Sequence, residues 1–462
     1  MVSAPSSFVA YAATTTTPSY LPAIPSNVVA SAISTQTNVR VYAGSSANDI
    51  ISKPRVIITQ LQYQECVFVV ESLNPIVDSS GEKWLLINIP MQTSVNQDGT
   101  TSGVQGFVKR DALYILVTST SKIKSSTNLM VDICPTMSDI TSLTSTDYSN
   151  SKLSIVKSIT AQLFKRRCSA SGCTKEDLIF KLSFGTLLYY ETADKSDGWR
   201  NVKIITGNGT LDSSQSFNTL FQDAYIRESD ITTFKESSRE RISAVVRPDP
   251  DSTNWDQHPI TKYGLQLIGC KYALGGRSMF DINSSDYTGM DSSGLTSLLY
   301  MVTFSKRIPR SINDQYKAAD SKISMNGFHV GDLIFLSNTT SDSMTNVMVF
   351  AGKDSQSNEE FIIESTENGG VKIMTVSQRL GVKSIRGLSS GDSVLNGKFK
   401  FYYASFFERS IQDERFIIEL LLYIFVLGTV LLAIMFIVTK HVYKKIKICV
   451  KGSVAARRYS NI

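Results

Sequence analysis

Gly289-Met290-Asp291-Ser292-Ser293-Gly294 is a short polar loop that runs straight into an apolar stretch, Leu295 to Val302. Leu295, Leu298, Leu299 and Val302 recur at i, i+3, i+4 and i+7, so the stretch predicts a helix with one apolar face. Ser292 then stands at a helix start, where developing negative charge is favoured. Nucleophilic attack on an amide carbonyl is the chemistry such a group could do. It would need a base, because a serine hydroxyl is almost never ionised near neutral pH. Three histidines could supply one: His258, His329 and His441. His258 falls in a stretch punctuated by Pro248, Pro250 and Pro259. His329 stands two residues before a Gly331-Asp332 turn, and His441 follows an uncharged apolar run near the end.

The elements that must position this loop fill residues 262–404. Helical spacing precedes it in "ITKYGLQLIGCKYAL", and strand-like runs follow it: "GDLIFL", "NVMVFAG", "FIIEST", "VKIMTV" and "KFKFYYAS". Helices first and an antiparallel sheet after make an α+β layout. Upstream, short strand signals come in two ordered series, over 37–115 and 155–232. Each series has a Trp-bearing strand after a glycine turn (Gly81 and Trp84; Gly198 and Trp199). Each ends in an aromatic strand and an acidic turn, Gly106 to Asp111 and Ala224 to Asp230. The pair resembles bacterial-type SH3 domains, small barrels often placed beside cell-wall hydrolases. Residues 1–36 read as a leader or disordered segment, and 116–154 and 233–261 read as linkers.

Charged residues make up 19% of the chain, and the net charge is +6. Much of the excess lies in the last twenty residues, no basic stripe marks the folded part, and the composition points to no nucleic-acid partner. Leu420 to Thr439 carries no charge, and about twenty apolar residues cross a bilayer core. Lys440, Lys444, Lys445, Lys447, Lys451, Arg457 and Arg458 follow it. The preceding basic residues are diluted by Glu408, Asp413, Glu414 and Glu419. This bias predicts a single-pass membrane protein with a cytosolic tail at 440–462 and an extracellular or lumenal N-terminal part, at the plasma membrane or an endolysosomal one. Residues 1–39 hold no charge, so the leader is atypical or incomplete, or the chain is tail-anchored.

In the tail, Cys449 is a candidate for lipidation or a plain cysteine. Tyr459-Ser460-Asn461-Ile462 resembles the Tyr-x-x-apolar sorting signal read by clathrin adaptors. The six cysteines show no zinc spacing, and Cys168 and Cys173 could be a disulfide or two thiols. Asn208, Asn283 and Asn338 each open a glycosylation sequon. No cofactor and no metal is expected, since Asp281, Asn283 and Asp286 lack the turn and distal Glu of a calcium loop.

The motifs over 262–404 together carry a second, more specific resemblance. Tyr272 to Gly276, Asp291 to Gly294, Arg307 to Tyr316, His329 to Leu336 and Thr345 to Gly352 occur in order. They are similar to the NlpC/P60 family, papain-like peptidases that cleave peptide stems of bacterial cell walls. The resemblance implies a cysteine nucleophile at the Ser292 position, a histidine base at Asn346 and a third polar residue at Glu364. Asn has no titratable group near neutral pH and cannot act as a general base. The expectation is therefore a pseudoenzyme, with Ser292, Asn346 and Glu364 as degenerate catalytic positions. Tyr272, Asp291, Ser292 and Asn346 are the candidate ligand-binding residues, for a peptidoglycan fragment or another peptide or glycan. Rescue of Ser292 by His258 or Glu364, Cys270 as a displaced nucleophile, and a purely structural assembly role are the alternatives.

Overall fold

The computed structural model describes residues 29–32, 37–40, 57–69, 76–77, 81–95, 98, 100–117, 153–168, 172–190, 195–205, 221–234, 242, 255–279, 289–321, 329–340, 343–408 and 411–459. Two modules of one topology come first. The first contains β1 (Val29–Ala32), β2 (Thr37–Arg40), β3 (Ile57–Leu61), β4 (Cys66–Val69), β5 (Ile76–Val77), β6 (Lys83–Val95), β7 (Thr101–Lys109) and β8 (Leu113–Val117). The second contains β9 (Leu153–Val156), β10 (Gln162–Phe164), β11 (Leu178–Lys181), β12 (Leu187–Tyr189), β13 (Lys195–Ser196), β14 (Trp199–Ile205), β15 (Phe221–Arg227) and β16 (Ile231–Thr233). The strand orders are β3-β2-β7-β6-β4-β1-β8, with β5 beside β6, and β11-β10-β15-β14-β12-β9-β16, with β13 beside β14. Each label in the second is the first plus eight.

Cross-strand chemistry repeats with the topology. Trp84 pairs in register with Lys109, and Trp199 with Arg227. Each cation lies over its indole, at 6.0 Å and 4.7 Å from the ring centre. A short 3-10 turn, Arg110–Ala112 or Glu228–Asp230, then leads into the last strand. β1 falls inside the stretch expected as leader; it pairs with β4 and β8. Its Val-Ala-Ser-Ala sequence is too short and uniformly small to show a strand's alternation. Cys168 and Cys173 form a disulfide, and Cys66 is disulfide-bonded too.

The third part is a six-stranded antiparallel sheet in the order β22-β21-β20-β19-β24-β23. Its strands are β19 (Leu333–Asn338), β20 (Met344–Lys353), β21 (Glu360–Thr366), β22 (Gly370–Thr375), β23 (Ser393–Val394) and β24 (Phe399–Ala404). A two-stranded pair, β17 (Arg277–Ser278) and β18 (Gly289–Met290), carries the loop before the central helix. The helices are α1 (Pro259–Gln266), α2 (Ser292–Phe304), α3 (Ile312–Ala318) and α4 (Val376–Leu380). Period-two alternation splits the sheet between two cores. Leu333, Phe335, Val347, Val349 and Ile363 share one with α2. Ile334, Leu336, Met348, Phe350 and Ile362 share the other with Val376 and Leu380 of α4.

The one-faced helix expected over 295–302 is buried on every side, from Ser292 to Val302. The reason is that both modules close over it. Phe68, Met91, Leu153, Ile155 and Phe184 join Leu298, Leu299 and Met301 in a single core. A side chain at Gly185 would meet Leu298 Cδ2 at 2.5 Å. Gln62 donates to the carbonyls of Phe184 and Arg277 at 3.2 and 2.9 Å, and Tyr63 enters the core of the second module. Residues of the expected 233–261 linker are drawn in as well: Trp255 stacks on Phe361 at 4.4 Å, and Ile242 pairs with Phe407.

The second compact unit spans Glu408–Ile462. Its helix α5 (Ile411–Tyr459) contains Leu422–Lys447, with mean hydropathy 2.6 and no buried residues. Phe425, Leu432 and Phe436 are among its exposed apolar side chains. This helix is long and apolar enough to span a membrane.

A shared core predicts shared unfolding. Trp84 and Trp199 report on the two modules and Trp255 on the sheet region, so urea transitions followed through single-Trp variants should coincide. Leu298→Ala should lower all three together, by about 2–5 kcal/mol. Separate midpoints would show that the modules fold independently.

Candidate functional site

Asp291 is the N-cap of α2, and its carboxylate is engaged on all sides. It accepts from the Gly294 N–H at 2.6 Å and the Gly275 N–H at 2.8 Å. Arg310 grips it through both terminal nitrogens, at 3.0 and 2.8 Å. The pair is nearly dry, with side-chain exposures of 6% for Arg310 and 11% for Asp291. Arg310 also donates to Ser293 Oγ at 2.7 Å and to Thr59 Oγ1 of β3 at 3.0 Å. The first module thus touches the loop directly. Gln60 accepts from the Arg277 N–H, and the Arg277 guanidinium pairs with Glu65 at 3.2 Å. Burial, foremost, holds the Arg277 pKa below its usual value, and Glu65 opposes that shift.

These contacts give the sequence motifs their physical roles. Gly275 has φ +77°, and a side chain there would run into the Ile57 carbonyl at 2.5 Å. In Arg307 to Tyr316, Arg310 clamps Asp291, Ser311 caps α3, and Gln315 donates to the carbonyls of Ser293 and Pro309. At the Gly331-Asp332 turn, Asp332 accepts from the His329 N–H at 2.7 Å and from Ser405 Oγ. His329 therefore belongs to a scaffold turn.

Ser292 is buried at 5% exposure, and its hydroxyl makes no side-chain hydrogen bond among the described residues. Asn346 lies on β20 and donates to Glu364 Oε2 on β21 at 3.0 Å, while its carbonyl accepts from the Val347 N–H. Glu364 is fully buried. It follows Ile362 onto the α4 face, where Arg379 of α4 donates Nε to both oxygens at 2.8 Å and Lys372 approaches to 3.7 Å. The polar contacts of Asn346 and Glu364 run to each other and to these cations, and none runs to Ser292. The loop reaches the same sheet one residue further on, where Ser365 Oγ donates to the Met290 carbonyl at 2.6 Å.

Tyr272 is half-buried and its phenol has no hydrogen-bond partner among the described residues. Burial, with help from Asp291 and Glu367, pushes its pKa up to about 12, so it stays a neutral donor. Leu274 beside it is 60% exposed. Cys270 is buried, and burial pushes its thiol up to about 11, the behaviour of a core cysteine rather than a nucleophile. His258 opens α1, whose Thr261 donates to the Ala351 carbonyl at 2.8 Å. Ala351 is five residues from Asn346, about 17 Å along a strand. His441 and Cys449 lie on α5 and Tyr459 ends it. Ile462 and the loop with Asp281, Asn283 and Asp286 are outside the described residues.

Arg379, Glu65 and Thr59 are contributors that sequence patterns did not single out. Arg379 closes a three-residue carboxylate cage from a helix too short to show periodicity. Glu65 and Thr59 act across more than two hundred residues of chain. Arg310 belongs to the Arg307 to Tyr316 motif, and its carboxylate partner lies nineteen residues before it.

The comparison with known families settles the identity of this region. Residues 269–387 match the NlpC/P60 family. They form an NlpC/P60 family domain. Among solved structures, an NlpC/P60 family protein from Bacillus cereus is similar at 15% identity and a TM-score of 0.49, over 82% of this chain and 100% of that one. An NlpC/P60 endopeptidase from Photobacterium damselae subsp. piscicida gives 15% identity and a TM-score of 0.44, over 82% and 73%. The NlpC/P60 domain of the peptidoglycan hydrolase SagA gives 23% and 0.21, over 26% and 89%. No curated protein matches the chain.

The hydrogen bonds separate committed groups from uncommitted ones. Arg310→Ala should cost about 3–5 kcal/mol by leaving Asp291 buried and uncompensated. Ser292→Ala has no bond to lose and should change stability by less than about 1 kcal/mol. Urea denaturation of both variants measures the contrast.

Proposed function

We propose that this chain is a single-pass membrane protein whose ectodomain binds cell-wall peptide or glycan fragments without cleaving them. The observation that carries the reading is the trio Asn346, Glu364 and Arg379. Where the resemblance calls for a proton acceptor, there is an amide. The carboxylate beside it is committed to a guanidinium through both oxygens. A serine nucleophile needs its proton removed, and neither group is available to Ser292.

Binding is a separate matter from cleavage. The Tyr272 phenol and the Ser292 hydroxyl have no internal partner among the described residues, and one Asn346 N–H is uncommitted. The exposed Leu274, two residues from Tyr272, offers an apolar contact. These groups suit recognition of a peptide or glycan through hydrogen bonds and one apolar wall. In this reading the two upstream modules are SH3-like barrels, supported by their repeated topology. In the same reading α5 is the anchor, and the lysines after residue 439 favour a cytosolic tail. Disulfide-bonded Cys66, Cys168 and Cys173 fit an ectodomain in an oxidising compartment.

Purified full-length protein in detergent should be retained on insoluble peptidoglycan, and Tyr272→Ala with Asn346→Ala should weaken retention by roughly tenfold or more, two lost polar contacts at about 1 kcal/mol each. Equal recovery of the parent protein in the unbound fraction, with and without peptidoglycan, would favour a structural assembly subunit instead.

A further inference from the structure

We infer that Asn338 is a glycosylation site, carrying an N-linked oligosaccharide on the sheet face that holds Asn346 and Glu364. The inference rests on the ectodomain part of the proposed function, because the sugar is added in a lumenal compartment. Asn338-Thr339-Thr340 is a sequon. Its three residues are exposed, at the turn that ends β19. None of their side chains has a hydrogen-bond partner among the described residues. An asparagine that shapes a turn spends its amide on nearby backbone, as Asp354 spends its carboxylate on Gln356 and Ser357. Asn338 does no such work, and its amide is free for a transferase.

Position adds a consequence. Asn338 is the last strand residue, paired with Phe399, and it lies two residues past Leu336. Leu336 is the partner of Asn346 in the β19–β20 ladder. Two residues are about 7 Å along a strand and bring the side chain back to the same face. Ile334 and Leu336 lie on the α4 face, so Asn338 does too. A branched sugar there extends from the end of the strand that pairs with Asn346. The transfer is a substitution: Asn338 Nδ2 bonds to C1 of a sugar carried on a lipid diphosphate, and the C1–O bond breaks. The lipid diphosphate leaves with the electron pair, and an amide proton passes to a base of the transferase.

The test is full-length protein made in a eukaryotic secretory host. Peptide N-glycosidase digestion in 18O water should convert residue 338 to labelled Asp, and Asn338→Gln should remove one step from the gel mobility ladder. Thr340→Ala, which keeps Asn338 but breaks the sequon, should remove the same step. Sugar at Asn208 or Asn283 with residue 338 unconverted overturns this inference and leaves the ectodomain reading intact. No sugar at any of the three positions overturns this inference, and digestion of the folded part by protease added outside intact microsomes overturns the ectodomain reading.

Discussion

Asp291 and Arg310 meet in a buried two-point ion pair at the start of α2, and three parts of the chain are held to it. Through Gly275 it fixes the loop before the helix. Through Ser293 and Gly294 it fixes the first turn. Through Thr59 it reaches the first module. A charge pair with so little water contact survives only when its remaining lone pairs and protons are met. Here they are met by the motif residues themselves. The loop and first helical turn around Ser292 are therefore held in one arrangement.

A second polar set lies on the α4 face of the sheet. Asn346, Glu364 and Arg379 form a compact hydrogen-bonded set across β20, β21 and α4, with Lys372 of β22 as a longer ion-pair contact at 3.7 Å. A fully buried carboxylate is costly unless paired, and Arg379 makes this one a structural anion. It ties the short α4 to the sheet beside the core formed by Val376 and Leu380. The pairing gives Glu364 a structural task, joining α4 to the strand beneath it.

Much of the domain was legible in the sequence because its motifs are local. Asp291 to Gly294, the Gly331-Asp332 turn and Arg307 to Tyr316 each place their key contacts within a few residues or on one helix end. The two modules were legible only as a weak series, since a Trp and a cation must be paired across strands before their repetition becomes plain. β1 was missed because four small residues carry no period. Arg379 and Glu65 were missed because their partners lie far away in sequence, and no spacing rule connects Glu65 to Arg277. The full burial of α2 was hidden for the same reason: the residues that cover its outer side come from modules more than a hundred residues upstream.

The central claim is that an intact nucleophile loop remains without catalysis. Incubating the purified protein with γ-D-glutamyl stem peptides, alongside Ser292→Ala, tests it most directly by mass spectrometry of the products. The account predicts no product above the buffer control from either protein. Cleavage by the parent that disappears in Ser292→Ala would contradict it, and would mean that Ser292 has found a base outside the Asn346–Glu364–Arg379 set.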